Sequence, residues 1–168
     1  VEQDILKENV GCQDQLLAAV GGFNLIRFDG DISVERLTIP GELSKYLMLI
    51  FTGQSRYATE VVEAQLHNMG KHIPEMKELQ AMVSPAIATM QEGNWLEFGY
   101  MLGEAWEIKR HLSDRISNPY IDFLYKTALD TGALGGKLLG AGGGGFLLLF
   151  VEPDKRKTVK DSLGNVLE

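Results

Sequence analysis

Cysteine is nearly absent: Cys12 is the single one in 168 residues. One thiol excludes an internal disulfide and a cysteine-rich metal site, and it fits a reducing, cytoplasmic setting. Positive charge is also scarce, with 16 Lys and Arg against 23 Asp and Glu and a net charge of −7. Such a chain has no general attraction for nucleic acid or an anionic membrane, so an anionic ligand has to be held by a local device. No apolar run reaches membrane-spanning length, and the longest, around Phe146–Val151, is strand-sized. No secretory leader is expected. His67, His72 and His111 lie far apart without ligand spacing, so no metal site is expected. Repeats and low-complexity linkers are missing too.

What remains is ordinary globular material, 45% hydrophobic and 23% charged, long enough to bury a sizeable core. The sequence starts at Val1 in a polar helical pattern, and a piece of a longer protein is expected. Residues 10–20, "VGCQDQLLAAV", read as a short helix. Residues 23–28 and 32–39 are strand-like and joined by Asp29-Gly30-Asp31, a hairpin turn. The continuous apolar run "KYLMLIF", 45–51, predicts a buried strand.

Four helical stretches follow. Ala58, Val62, Leu66, Met69 and Ile73 form the apolar stripe of the first. Met76, Leu79, Val83, Ile87 and Met90 keep helical spacing in the second, which Pro85 must kink or split. The third opens at Asn94 with Glu97 three residues on and places Trp95 and Trp106 in the core. The fourth opens at Asn118-Pro119 and stops near Gly132. Residues 137–139 and 146–151 read as strands around a glycine loop, and 153–163 as a final helix. The order predicts an α+β domain, with helices on a mostly antiparallel sheet.

The loop is Gly140, Ala141, Gly142, Gly143, Gly144 and Gly145. Each glycine costs roughly 0.5–1 kcal/mol of backbone entropy when ordered, and a plain hairpin needs one or two. The run therefore predicts a place of close approach, to an anion or to another loop. It is followed by neither Lys-Ser/Thr nor a helix, so it is neither a Walker loop nor a dinucleotide fingerprint.

"KLLGAGGGGFLLLF" resembles the C-terminal glycine motif of the GHMP kinases, and "VGCQDQLLAAVGGFN" resembles the aspartate segment of their sugar-kinase branch. With "LIFTGQSRYATEVVEAQ" and "KRHLSDRISNPYIDFLY" the resemblance covers nearly the whole chain and is strongest to the heptose-phosphate kinases. It implies a ferredoxin-like GHMP kinase C-terminal domain over 41–168, incomplete at its end. Residues 1–40 would be the tail of an N-terminal domain like domain 2 of ribosomal protein S5. It implies ATP-dependent phosphorylation of a sugar phosphate, at the anomeric hydroxyl of a heptose 7-phosphate. A neutral-sugar kinase of the galactokinase or fucokinase type is the alternative, and a non-catalytic binding module on the same scaffold is another. ATP and Mg²⁺ would be held mainly by an upstream phosphate loop that this sequence does not contain, so the chain alone is expected to be inactive.

The resemblance also assigns residues. From spacing alone Asp14 reads as a helix-start carboxylate, and the resemblance makes it the catalytic base. Gly11 and Gln15 would accompany it on the substrate. Thr52, Gly53, Ser55 and Arg56 join a strand to a helix, where a sugar phosphate can sit. A capped helix with Arg56 in solvent reads equally well. Lys137 and the six loop residues would contact phosphate and the nucleotide loop. Lys109 and Arg110 close the third helix, where cations complement the dipole. Cys12 reads as a packed, inert thiol.

Overall fold

The computed structural model describes residues 12–54 and 69–167. Among these the chain runs α1 (Gln13–Val20), β1 (Asn24–Arg27), β2 (Ser33–Arg36), α2 (Leu43–Tyr46) and β3 (Leu47–Phe51). After a 3₁₀ turn at Met69–Lys71 come α3 (Ile73–Ala81), α4 (Val83–Gln91), α5 (Trp95–Arg110) and α6 (Pro119–Asp130). β4 (Ala133–Leu138), β5 (Phe146–Val151) and α7 (Arg156–Leu167) complete it. Residues 58, 62 and 66 of the expected first apolar stripe lie outside the described residues.

β1 and β2 pair antiparallel as the expected hairpin, with Leu25 opposite Glu35, and Gly30 turns it at φ +108°. A second antiparallel sheet has the order β3-β5-β4. Here one expectation is corrected. The apolar run at 45–51 is not a buried strand: Leu43–Tyr46 is a helical turn and β3 is an edge strand, with Leu49 53% and Phe51 51% exposed. Continuous hydrophobicity cannot separate a central strand from an edge strand whose outer face is also apolar. The central strand β5 is the more buried one: Leu147, Leu149, Phe150 and Val151 are all 0% exposed, although Phe146 at its start is 45% exposed.

Helices pack on both faces of this sheet. Trp106, Ile121, Leu124, Ala128, Val159 and Leu163 meet Leu138, Leu147 and Leu149 in the main core. Trp95 and Phe150 form a smaller cluster with Met90. The second predicted helix is split as expected, into α3 and α4, but the break falls at Met82. Proline has no N–H for the i−4 carbonyl and its ring clashes there, so the interruption lies ahead of Pro85, which sits within the first turn of α4. Asn94 caps α5 by accepting from the Glu97 N–H, and Asn118 caps α6 by accepting from Tyr120 and Ile121.

β4 begins four residues earlier than its sequence implied, at Ala133. Gly135 and Gly136 look like turn residues, yet they lie in the strand because α5 crosses it closely. A Cβ on Gly135 would lie 2.1 Å from Gly99 O and 2.7 Å from Gly103 N. Gly99 and Gly103 are one helical turn apart and present bare backbone to the strand. The expected final helix starts three residues after Pro153, at Arg156, whose guanidinium donates to the carbonyls of Lys45 (2.9 Å) and Leu47 (2.6 Å).

Candidate functional site

The glycine loop closes the β4–β5 hairpin. Leu139 N–H donates to Phe146 O at 2.8 Å and forms its neck. Beyond the neck Gly140, Gly142, Gly143 and Gly145 take φ of +75°, +122°, +77° and +98°. Residues with a Cβ rarely adopt such angles.

Two other segments hold the loop. β3 runs on past Phe51, so that Thr52 N–H and Thr52 Oγ1 both donate to Gly145 O at 2.9 Å. Gly145 N–H returns a bond to Gln54 O at 2.8 Å. Thr52 is 0% exposed, so its hydroxyl serves the loop. On the other side Gly143 N–H donates to Ile116 O at 2.9 Å. The close approach expected of the glycines is thus, in part, to this chain itself. A Cβ on Gly142 would meet Ile116 Cα at 2.7 Å, and one on Gly144 would meet Gln54 O at 2.8 Å. Gly140 and Gly145 differ: a Cβ there would meet nothing within 4 Å. The loop therefore has a face packed inward and a face left open. Asn118 joins the two holding segments, because its Nδ2 donates to Gln54 Oε1 at 3.0 Å while its Oδ1 caps α6.

Charge gathers at the open end. Lys109, in the last turn of α5, donates from Nζ to Gly140 O at 3.0 Å. Burial, chiefly, and the nearby Lys137 ammonium push the Lys109 amine down to about 8, while Asp14 pulls it upward. Burial also lowers Lys137, again against Asp14. Asp14 lies in the first turn of α1 and is exposed. Asp14 thus lies within electrostatic reach of Lys137 and Lys109, and Lys109 is bonded to Gly140 of the loop. Lys109 joins them, although its sequence position favoured a helix-end cation over a substrate contact. Nothing in local spacing reports that residues 109, 137 and 140 meet. The Gly99/Gly103 pattern that seats α5 on β4 was the one available signal.

Gln15 follows Asp14 on α1, with an exposed side chain. Gly53 turns the chain at φ +72° between Thr52 and Gln54. Gly11, Ser55 and Arg56 lie outside the described residues. Cys12 is half-buried at the start of α1. Among the described residues no group of three or more His, Cys, Asp or Glu side chains stands where it could hold a metal, and no helix is long and apolar enough to cross a membrane.

Helices on an antiparallel sheet, with a glycine hairpin beside a carboxylate and two amines, define an α+β domain of the small-molecule kinase kind. The family profile described as "GHMP kinases C terminal" matches residues 85–168. The chain belongs to the GHMP kinases. It is 35% identical to the D-glycero-alpha-D-manno-heptose 7-phosphate kinase of Campylobacter jejuni, over 93% of this chain and 48% of that protein. It is 27% identical to the L-fucokinase/L-fucose-1-P guanylyltransferase of Bacteroides fragilis, over 95% of this chain and 18% of that protein. Lactococcus lactis galactokinase, solved with galactose, shares the fold with a TM-score of 0.74 at 20% identity, over 99% of this chain and 53% of that one. The chain thus spans about half the length of the heptose-phosphate kinase.

Proposed function

We propose that this chain is the acceptor-side half of an ATP-dependent sugar-phosphate kinase that phosphorylates the anomeric hydroxyl of D-glycero-D-manno-heptose 7-phosphate. What supports the reading is the electrostatic coupling of Asp14 to Lys137 and Lys109, with the Lys109 ammonium held on Gly140 O of the glycine loop at 3.0 Å. The 35% identity to a heptose 7-phosphate kinase supports the substrate. In domain terms 1–40 ends one domain and 41–168 forms the next.

Asp14 accepts or orients the proton of the attacking hydroxyl. The hydroxyl oxygen forms a bond to the γ-phosphorus as the bond to the ADP oxygen breaks. In a loose transition state this help is largely positioning. Mg-ATP is a substrate here, and its ion draws charge from the phosphates when bound. Gly11, Gln15, Gly53, Ser55 and Arg56 contact the sugar phosphate, and Thr52 holds the loop. Lys137 and the open face at Gly140 and Gly145, with Ala141 and Gly142–Gly144 behind it, lie against the phosphates.

The test is substrate choice in the full-length kinase. The proposal expects turnover of heptose 7-phosphate, loss of turnover with the unphosphorylated sugar, and a raised acceptor KM in Arg56→Met. Equal use of the neutral sugar, with Arg56→Met unaffected, would instead support a neutral-sugar kinase, the reading that the fucokinase relative favours. The 168-residue chain alone is expected to show no ATP-dependent turnover.

A further inference from the structure

The two segments that hold the glycine loop have no regular structure of their own. Residues 52–54 follow the end of β3, and residues 113–118 link α5 to α6. Nor does a run of glycines choose a shape by itself, because each can turn at either sign of φ. The shape of the loop is therefore set by its bonds, and three bonds close a ring around it. Gly143 N–H donates to Ile116 O at 2.9 Å, and Gly145 N–H donates to Gln54 O at 2.8 Å. Asn118, two residues on from Ile116, donates from Nδ2 to Gln54 Oε1 at 3.0 Å. Gly144 lies against the same glutamine: a Cβ there would meet Gln54 O at 2.8 Å and Gln54 Cβ at 3.4 Å.

The ring is anchored on a rigid element. Asn118 Oδ1 accepts from the Tyr120 and Ile121 N–H groups in the first turn of α6, a helix that buries Ile121, Leu124, Tyr125 and Ala128. Ser117 Oγ donates to Asp122 Oδ1 at 2.6 Å, and Asp122 Oδ2 is paired with Arg110 at 2.8 Å. Capping does not need an amide, since Ser and Asp cap about as well as Asn. What an asparagine adds is a donating end. Here that end bonds a residue 64 positions away that supports the other side of the loop.

We propose that Asn118 is a positioning residue for phosphoryl transfer. Its bond to Gln54 closes the ring, and the closed ring fixes Gly143–Gly145 and the open face set against the phosphates. Asn118 acts through the loop and not on the reacting atoms. Breaking the bond slows the transfer step and spares acceptor affinity, because a misplacement of about 1 Å can cost up to ~100-fold in rate. The inference rests on the kinase reading for the identity of the step that slows.

The test compares variants of the full-length kinase that keep the α6 cap. Asn118→Ser caps but is too short to reach Gln54. It should melt near the wild type, lose kcat about tenfold or more, keep its acceptor KM, and exchange the Gly143 and Gly145 amide protons faster. Asn118→Asp should recover most of kcat, because it caps and the Gln54 amide can donate to its free oxygen. Gln54→Leu breaks the same bond from the other side. It should match Asn118→Ser, and the double variant should lose no more than either single one. Asn94→Ala, which removes the cap of α5, should lower the melting temperature and leave kcat unchanged. Wild-type kcat in Asn118→Ser, losses that add in the double variant, a loss confined to acceptor KM, or an equal loss in Asn94→Ala would each overturn the assignment. Gln54→Leu decides where Asn118→Ser fails to fold. The rate is read on whichever sugar the wild type phosphorylates, so a wrong acceptor sinks the substrate reading alone. If the wild type phosphorylates none, the kinase reading fails, and unchanged amide exchange in Asn118→Ser would overturn the ring on its own.

Discussion

At the scale of single residues, the loop glycines divide into two kinds, and the division is measurable. Gly142 combines φ +122° with a Cβ position 2.7 Å from backbone of Ile116. Backbone cannot swing aside, so Gly142→Ala should cost both the strained angle, about 1–3 kcal/mol, and a displaced 113–118 segment. Gly140 has φ +75° and open space, so Gly140→Ala should cost only about 1–2 kcal/mol. Urea denaturation of the two variants checks the order, and equal losses would show that the packing against Ile116 is unimportant. Lys109 gives a second residue-scale prediction. Its amine sits at about 8, against the ordinary 10.5. Above about pH 8 the unfolded chain then binds more protons at this site than the folded one, so the Lys109 contribution to stability rises with pH. Between about pH 8 and 9.5 the stability of the wild type relative to Lys109→Met should therefore increase. A flat difference would mean that the amine is not desolvated.

At the scale of elements, the decisive contact is α5 on β4. Gly135→Ala places a methyl 2.1 Å from Gly99 O. Neither partner can give, so the helix must lift from the strand. A loss of about 3 kcal/mol or more is expected, read as a lowered melting temperature. Gly132→Ala is a suitable contrast: unlike Gly135 it has a positive φ, +118°, yet its Cβ would meet only the flexible side chain of Lys155, at 3.3 Å. This contact also explains what the sequence did and did not disclose. The caps at Asn94 and Asn118 and strand β5 were legible because each is written in a few adjacent residues. The start of β4 was not, because Gly135-Gly136 carries the sign of a turn and acquires its meaning only from Gly99 and Gly103, more than thirty positions away. The edge position of β3 was hidden for a similar reason: sheet order is a property of pairing, not of hydrophobicity.

At the scale of the whole molecule, an acidic chain concentrates partly buried positive charge at one place, next to the one loop built from bare backbone. The glycine motif and the Asp14 segment were readable because each is a compact string, and they already pointed to the kinase family. Their meeting point, with Lys109 included, depends on how α1, α5 and the β4–β5 hairpin come together, which no local pattern records. Asp14 is proposed to act on the attacking hydroxyl at this meeting point. The most direct test is kcat for ATP-dependent phosphorylation of heptose 7-phosphate by full-length Asp14→Asn enzyme, with folding checked by circular dichroism. A fall of about 100-fold or more in a folded protein with an unchanged acceptor KM is the result expected. Activity within a few-fold of wild type would contradict it.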